Sequence, residues 1–375
     1  MGAALRWLSG VLLFVLIGLG VVWQTWVRPP EPLRFGLALN LTGVGGTAGE
    51  YIREGAILAV EEVNATGGIN GRRLELLIKD DRNTREGIIE ADEALIAQGV
   101  MLIIGHVTSD NSLIAHPLVT SRNVLLFTPF SATTQLSGQD DLFFRTSVDV
   151  QHYGRPLADL LTAKGARSAA FLMDMGNPAF VEDYFTRTAH HFDGKTIPIR
   201  FNPEESENWN AVLQELLGNE PDTIVLLTEA SMTGIAAQKL RARGFAGPLV
   251  ATLWAQTPDL PRYGGDAVEG LSLVTFIDPD NDRPEFLRFS GVMQQRLNKP
   301  ANARSTRAYE AVMILAQALR RSQELTVTHL KEQLLTDGFE TLMGTVRFDR
   351  YGDVERPIFE VQVRNRQFMR VRQLK

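Results

Sequence analysis

The stretch Gly49–Asp81, GEYIREGAILAVEEVNATGGINGRRLELLIKDD, predicts a helix, a tight turn and a strand in direct succession. In its first part, apolar residues recur at helical spacing and share one face: Ile52, Ala56, Ala59, Val60 and Val63. The glycines of Gly67–Arg73 end this helix, because glycine adopts the positive φ angles that a tight turn requires. The apolar run Leu74–Asp81 then predicts a strand, which completes one α/β unit.

The same alternation of apolar strand and amphipathic helix continues on both sides of this stretch. The other predicted strands are Leu33–Asn40, Val100–Gly105, Asn123–Pro129, Ser168–Asp174, Lys195–Phe201, Asp222–Thr228 and Pro248–Thr252. Strands that are apolar on both faces and followed by helices are typical of parallel sheets covered on both sides. A chain of 375 residues exceeds one compact core and suits two, so we predict an α/β protein with two lobes.

The carboxyl-terminal third departs from this rhythm. Three helices are predicted in succession, at Glu285–Leu297, Ser305–Ser322 and Val327–Leu335. Two strands follow, within Gly344–Asp349 and Ile358–Asn365, and we expect them to pair at a sheet edge.

Composition excludes several classes of function. The net charge of −6 argues against nucleic-acid binding, which requires a basic face. The absence of cysteine excludes disulfides, thiolate zinc sites and cysteine nucleophiles. No motif combines a nucleophile, a base and an orienting group, so we expect no catalytic residue, metal or cofactor. His106 at a strand end is interpreted as a structural histidine.

The amino terminus contains a segment without charge, Trp7–Val27. As a helix its 21 residues extend roughly 30 Å, the thickness of the hydrocarbon core of a bilayer. We predict that residues 1–27 form an uncleaved transmembrane anchor with the bulk of the chain outside; the alternative is a cleaved signal peptide. Residues 28–33 form a short proline-rich linker.

Two polar clusters follow predicted strands of the first lobe, Thr108–Ser112 and Thr128–Thr134. The carboxyl ends of parallel strands share one edge of the sheet, where open α/β sheets bind ligands. Hydroxyl groups beside unpaired helix N–H groups suit a carboxylate or another small anion. The alternative is that Ser109 or Asp110 simply caps its own helix.

These motifs resemble the type I periplasmic binding proteins of the leucine/isoleucine/valine-binding family. The resemblance extends from Leu37 to Val354 and includes NATGGINGRRLEL, GHVTS, TPFSATT and TLMGTVRFDRYGDV. It implies two lobes that are joined by three crossing segments and close around a ligand. We expect residues 34–147 and 277–340 to form the first lobe, and residues 148–276 and 341–375 to form the second.

The resemblance also implies ligand-binding residues in the first lobe, where the family holds the α-carboxylate of its ligand. Ser109 matches the family serine, with Thr108 beside it in the same cluster. The second contact loop offers hydroxyls whose alignment is ambiguous by one residue: Ser131, Thr133 and Thr134. Phe130 stands where a small residue is usual.

In the second lobe the sequence departs from the amino-acid binders, which neutralise the ligand ammonium with an acidic residue. The stretch LWAQT after Pro248–Thr252 contains no acid. Positions that are often aromatic in the family are alanines here, Ala48 and Ala230. The candidate substitutes for the ammonium partner are Glu229, Asp110 and Trp254.

We therefore expect an extracytoplasmic solute-binding protein that traps a small carboxylate-bearing ligand, such as an amino acid or a related compound. Its expected partner is the membrane permease of an ABC importer, on the periplasmic side of the cytoplasmic membrane. The alternative is a membrane-anchored sensor that regulates a signalling protein, and a more remote one is an enzyme on the same fold.

Overall fold

The computed structural model describes residues 30–42, 46–203 and 209–375. The anchor predicted at residues 1–27 lies outside the described residues. Within the described ranges, no helix has both the length and the apolar character needed to cross a bilayer.

The described residues form α/β units in the order that the sequence predicts. The strands are β1 Leu33–Leu39, β2 Leu74–Asp80, β3 Leu102–Ile104, β4 Leu125–Thr128, β5 Phe143–Arg145, β6 Ser168–Asp174, β7 Lys195–Phe201, β8 Thr223–Leu227, β9 Leu249–Thr252, β10 Ser272–Thr275, β11 Phe339–Thr341, β12 Gly344–Val346, β13 Phe359–Arg364 and β14 Gln367–Gln373. The α-helices are α1 Gly46–Ala65, α2 Arg85–Ala97, α3 Ser109–Ser121, α4 Gly154–Ala163, α5 Pro178–His191, α6 Trp209–Gly218, α7 Ala230–Ala242, α8 Asp259–Gly264, α9 Pro284–Leu297, α10 Ala303–Arg321 and α11 Val327–Thr336.

The first lobe is built on a parallel sheet with strand order β2-β1-β3-β4-β5. One face packs against α1, α9, α10 and α11, and the other packs against α2 and α3. Both faces of the sheet are therefore buried. The sequence predicted this, because polar residues do not alternate with apolar ones along these strands. The turn after α1 has the predicted geometry, with φ of +94° at Gly67, +73° at Gly68 and +79° at Gly71.

The second lobe contains a sheet with strand order β14-β13-β10-β9-β8-β6-β7. Strands β6 to β10 are parallel to one another, whereas β13 runs antiparallel to its two neighbours, β10 and β14. Helices α4 and α5 cover one face, and α6 and α7 cover the other. The predicted fold of two lobes with mostly parallel sheets is confirmed.

The last strands pair differently from the prediction. Residues 344–346 (β12) pair with β11, and β13 lies between β10 and β14. The expected pairing of Gly344–Asp349 with Ile358–Asn365 is therefore wrong. Because Val346, Phe348 and Val354 pack into the core of the first lobe, the return to the second lobe comes after them and not at residue 341.

The chain crosses between the lobes after β5, after β10 and before β13. Arg356 on the third crossing forms a buried two-point ion pair with Glu310 of α10 and donates to the Thr146 carbonyl on the first crossing. Helix α10 packs so closely on α1 that a Cβ atom added at Gly55 would lie 2.1 Å from the Ser305 carbonyl oxygen, and only glycine fits there. This contact fixes the start of α10 beside the cleft between the lobes.

Candidate ligand-binding cleft

The two polar clusters predicted from the sequence lie side by side at the carboxyl edge of the first sheet. Strands β3 and β4 are parallel neighbours, and the side chain of Ser109 connects the loops that follow them. Its Oγ accepts hydrogen bonds from the backbone N–H groups of Ala132 at 3.1 Å and Thr133 at 3.2 Å. A hydroxyl that accepts two hydrogen bonds still has its own proton to donate.

Thr108 caps α3, and neither Ser109 nor Asp110 does. The Thr108 side chain accepts from the Asn111 N–H at 3.1 Å, with extended backbone angles that suit a cap. The alternative that Ser109 or Asp110 caps its own helix is therefore wrong.

Asp110 instead caps a helix of the other lobe. Its Oδ2 accepts from the Ala179 N–H in the first turn of α5 at 2.9 Å. In return, the Asn177 Oδ1 before α5 accepts from the N–H groups of Ser109 at 3.2 Å and Asp110 at 3.4 Å. Two helix N-termini thus exchange caps across the cleft. We call this pair of residues, Asp110 and Asn177, the interlobe clasp.

The second cluster is held mainly by its own backbone. Thr128 Oγ1 accepts from the N–H groups of Phe130 and Ser131, and the Thr133 side chain accepts from the Gln135 N–H. Ser131 is fully buried, and its hydroxyl has no hydrogen-bonding partner in the described part of the chain.

Thr134 faces the other lobe. Its hydroxyl and its backbone N–H both donate to Asp183 Oδ2, at 2.7 and 3.0 Å. The same hydroxyl accepts a hydrogen bond from the Arg187 guanidinium. Neither Ser131, Thr133 nor Thr134 is among the residues that line the two cavities of the cleft.

Two adjoining cavities, of about 40 and 100 Å³, lie between the lobes and share Val107, Trp254 and Arg304. The first is mostly apolar and is lined by aromatic side chains from both lobes: Phe130, Phe180 and Trp254. The second is also mostly apolar in surface, but more of the residues around it are polar: Asn40, Asn83, Thr108, Asp174, Asn202, Glu229 and Arg304. Of the predicted site residues, these cavities bring together Thr108, Ser109, Phe130, Glu229 and Trp254.

Glu229 is the cap of α7. Its carboxylate accepts from the Ser231 N–H at 3.1 Å, the Met232 N–H at 2.7 Å and the Ser231 hydroxyl. The residue lies at the wall of the second cavity, but its carboxylate oxygens already bond to the N-terminus of the helix.

Trp254 lies on a short helical turn directly after β9 and lines both cavities. Its ring meets the ring of Phe180 edge to face, with centroids 5.7 Å apart. The aromatic wall therefore belongs to the second lobe and faces Phe130 of the first lobe across the apolar cavity.

Arg304, which sequence reasoning missed, lines both cavities from the first turn of α10. The residue is 7% exposed, and its guanidinium forms no hydrogen bond or ion pair with any of the residues described. Burial lowers the pKa of Arg304, and the charges of Glu229 and Asp259 oppose that shift.

Arg307 lies one turn further along α10 and lines the apolar cavity. Its guanidinium stacks on the rings of Phe130 at 4.8 Å and Phe276 at 5.2 Å, and donates to Ser147 Oγ and the Pro129 carbonyl. Burial lowers its pKa to about 9. The sequence contains one signal that could have pointed to Arg304 and Arg307 as site residues. Both stand at the start of a predicted helix, where the helix dipole disfavours cations.

His106 has the structural role that the sequence indicated. It is fully buried, with Nδ1 2.7 Å from Asp81 Oδ2 and Nε2 3.2 Å from Asp92 Oδ1. Burial opposes the imidazolium, but Asp92 and Asp81 outweigh it and raise the pKa of His106 to about 10. Among the described residues, no cluster of histidine and acidic side chains has an arrangement that could hold a metal ion.

Comparison with known proteins agrees with this architecture. A family model described as periplasmic binding protein matches residues 32–367. The leucine-, isoleucine-, valine-, threonine- and alanine-binding protein of Pseudomonas aeruginosa is 23% identical over 346 residues, which cover 88% of this chain and 89% of the relative.

Two solved structures share the fold. A leucine-binding protein from Thermotoga maritima has a TM-score of 0.84 and 23% identity, with 91% of this chain and 98% of that one covered. An ABC transporter solute-binding protein from R. palustris, in complex with benzoate, has a TM-score of 0.82 and 17% identity, with 92% and 96% covered. The resemblance noted in the sequence is confirmed, and the chain belongs to the periplasmic binding protein family.

Proposed function

We propose that this protein is an extracytoplasmic solute-binding protein that traps a small carboxylate-bearing ligand between its lobes. The observation that carries the proposal is the pair of cavities between the lobes, which meet at Trp254 and Arg304. A concave site with apolar walls and a few convergent polar groups is the usual form of a small-molecule site.

Closure of the lobes is the proposed mechanism. The three crossings form the hinge, and the interlobe clasp forms only when α3 and α5 approach each other. A ligand that contacts both lobes biases the equilibrium toward the closed form by its differential affinity. The proposed contacts are the predicted residues at the cavity walls: Thr108, Ser109, Phe130, Glu229 and Trp254. Ser131, Thr133 and Thr134 would act by shaping the second loop.

The proposed partner is the membrane permease of an ABC importer, which would recognise the closed form. Support comes from the family and from the structural relative described as an ABC transporter solute-binding protein. We place the protein on the periplasmic side of the cytoplasmic membrane, with residues 1–27 as an anchor or an export signal.

A thermal-shift screen of the full chain tests the binding function. A ligand that binds only the native state raises the melting temperature with its concentration. We expect a saturable rise with at least one member of a panel of amino acids, amides, and short-chain and aromatic acids. No shift with any member would contradict the proposal, and product release from any member would indicate an enzyme instead.

A further inference from the structure

We propose that the protein has a second binding site, beside the hinge, for an anionic amphiphile with an alkyl body of medium length. The starting point is a cavity of about 650 Å³, which adjoins the first cavity of the cleft at Thr257 and Ala303. Small-molecule sites usually measure roughly 300–1,000 Å³, so this cavity has the size of a complete site. Its existence does not depend on the proposed function of the cleft; only its effect on lobe closure does.

The wall of this hinge cavity combines both lobes with two of the crossings. The first lobe contributes the starts of α9 and α10, and the second lobe contributes the segment after β9 and the start of β14. Residues 276–279 of the second crossing and residues 355–357 of the third complete the wall. A molecule held here contacts both lobes at once, and it would therefore favour the arrangement of the lobes that forms the cavity.

The surface of the hinge cavity is mostly apolar and suits an alkyl chain. Phe286 and Met343 belong to the first lobe, and Phe359 and Phe368 belong to the second. Phe286, Met343 and Phe368 are only partly buried, so an apolar ligand would remove further apolar surface from water. Because the wall is assembled from several separate segments, a chain whose bonds rotate can follow it.

The acidic groups in the wall already have cationic partners. Asp278 accepts from the Arg370 guanidinium at 2.5 Å. Glu355 pairs with Lys375 at 3.6 Å and with His152 at 3.5 Å. A cationic ligand would have to displace one of these partners, so the acids do not favour one.

One cation in the wall has no such partner. Arg356 forms its buried ion pair with Glu310, and Arg366 pairs with Asp266 at 3.2 Å. The guanidinium of Arg283, directly before α9, forms no hydrogen bond or ion pair with any residue described. Its planar fork of N–H donors matches a carboxylate. Charge complementarity therefore selects an anionic head group.

The wall toward the cleft also favours an anion. Thr257 and Asn302 line the cavity, and Thr257 Oγ1 and Asn302 Nδ2 are buried without a hydrogen-bonding partner in the described part of the chain. Buried polar groups are nearly always hydrogen-bonded, and a bound molecule is one way to satisfy them. Asn302 also caps α10, so the positive end of this long helix lies at the cavity.

Three test ligands separate the contributions of head group and chain. Octanoate has both the anionic head and the alkyl body, octylammonium reverses the charge, and butanoate shortens the chain. In calorimetric titration of the full-length wild type, octanoate should bind at least tenfold more tightly than either of the others. Octylammonium binding as tightly as octanoate would overturn the proposed ligand class.

The variant Arg283→Gln locates the site. It should weaken octanoate binding at least fivefold and should not weaken octylammonium binding. The control Arg288→Gln removes the same charge from an exposed arginine of the same helix that lies outside the cavity wall, and should change neither. The ligand-free melting temperature of Arg283→Gln should match that of the wild type, because no described side-chain bond is lost. Equal effects of the two variants on octanoate would overturn the site.

The effect on lobe closure rests on the proposed function of the cleft and has its own measurement. With the solute found in the thermal-shift screen, saturating octanoate should tighten solute binding at least threefold, and the solute should tighten octanoate binding by the same factor. Displacement of octanoate by the solute would place octanoate in the cleft and overturn the second site. Independent binding of the two would overturn the coupling. Failure of every solute in the screen would count against the cleft function alone, because the octanoate titrations need no solute.

Discussion

The carboxylate of Asp110 in the first lobe accepts a hydrogen bond from the backbone N–H of Ala179 in the second lobe, at 2.9 Å. Asn177, two residues before Ala179, accepts from the start of the helix that carries Asp110. Because N–H groups at the start of each helix bond to a side chain of the opposite lobe, opening the cleft breaks these hydrogen bonds and exposes the N–H groups to water. The clasp therefore stabilises the closed form.

Removing the clasp should favour the open form. In the ligand-free protein, Asp110→Ala and Asn177→Ala should each increase the radius of gyration measured by small-angle X-ray scattering. Asp110→Ala should also weaken ligand binding by about tenfold or more, since a hydrogen bond to a charged group contributes about 1.5–3 kcal/mol. Asn177→Ala should weaken it less, because the Asn177 amide oxygen is neutral and such a bond contributes about 0.5–1.5 kcal/mol. Ser121→Ala at the far end of α3 is the control and should leave both quantities unchanged. A clasp variant with wild-type scattering and affinity would show that the contact does not bias closure.

Ser109→Ala should lower stability as well as affinity. The change leaves the buried N–H groups of Ala132 and Thr133 without an acceptor, at a cost of about 1–3 kcal/mol. Urea unfolding measures this loss directly. The matched control is Ser131→Ala, because the Ser131 hydroxyl is buried without a described partner and its removal should be neutral or stabilising. Equal effects of the two changes would contradict the assigned contacts.

The His106 site should make stability fall at alkaline pH. The folded pKa of about 10 lies above the unfolded value of about 6.5, so the imidazolium contributes fully below pH 6.5. The contribution is lost as the pH rises from about 6.5 to 10, by at most about 1.4 kcal/mol per pH unit. Urea unfolding at several pH values checks the slope, and His106→Gln should flatten it.

NMR titration provides an independent measurement at the same site. The Cε1–H resonance of His106 should keep the shift of a protonated ring up to about pH 8. A midpoint near 6.5 would contradict the charged pair with Asp81 and Asp92.

The fold was predictable where local chemistry decides it. The glycines after α1 impose a turn because of their positive φ angles, and the uninterrupted apolar strands indicate sheets buried on both faces. The short strands β5 and β10 were missed, although β3 and β4 of similar length were predicted from the longer apolar runs that contain them. The exposed strand β14 was missed because it lacks an apolar pattern.

The site was predictable in position and only partly in composition. The sequence placed the clusters around Ser109 and Phe130 at one edge of the sheet, because parallel strands share that edge. It did not reveal Asn177 or Arg304, which reach the cleft only through the packing of α5 and α10. Asp110 was ambiguous for the same reason, since its partner is a backbone N–H of the other lobe.

The most direct measurement is a crystal structure with the solute that gives the largest thermal shift. We predict a ligand between the lobes, in contact with Ser109 of the first lobe and Trp254 of the second. A ligand bound outside the cleft would contradict the proposed site.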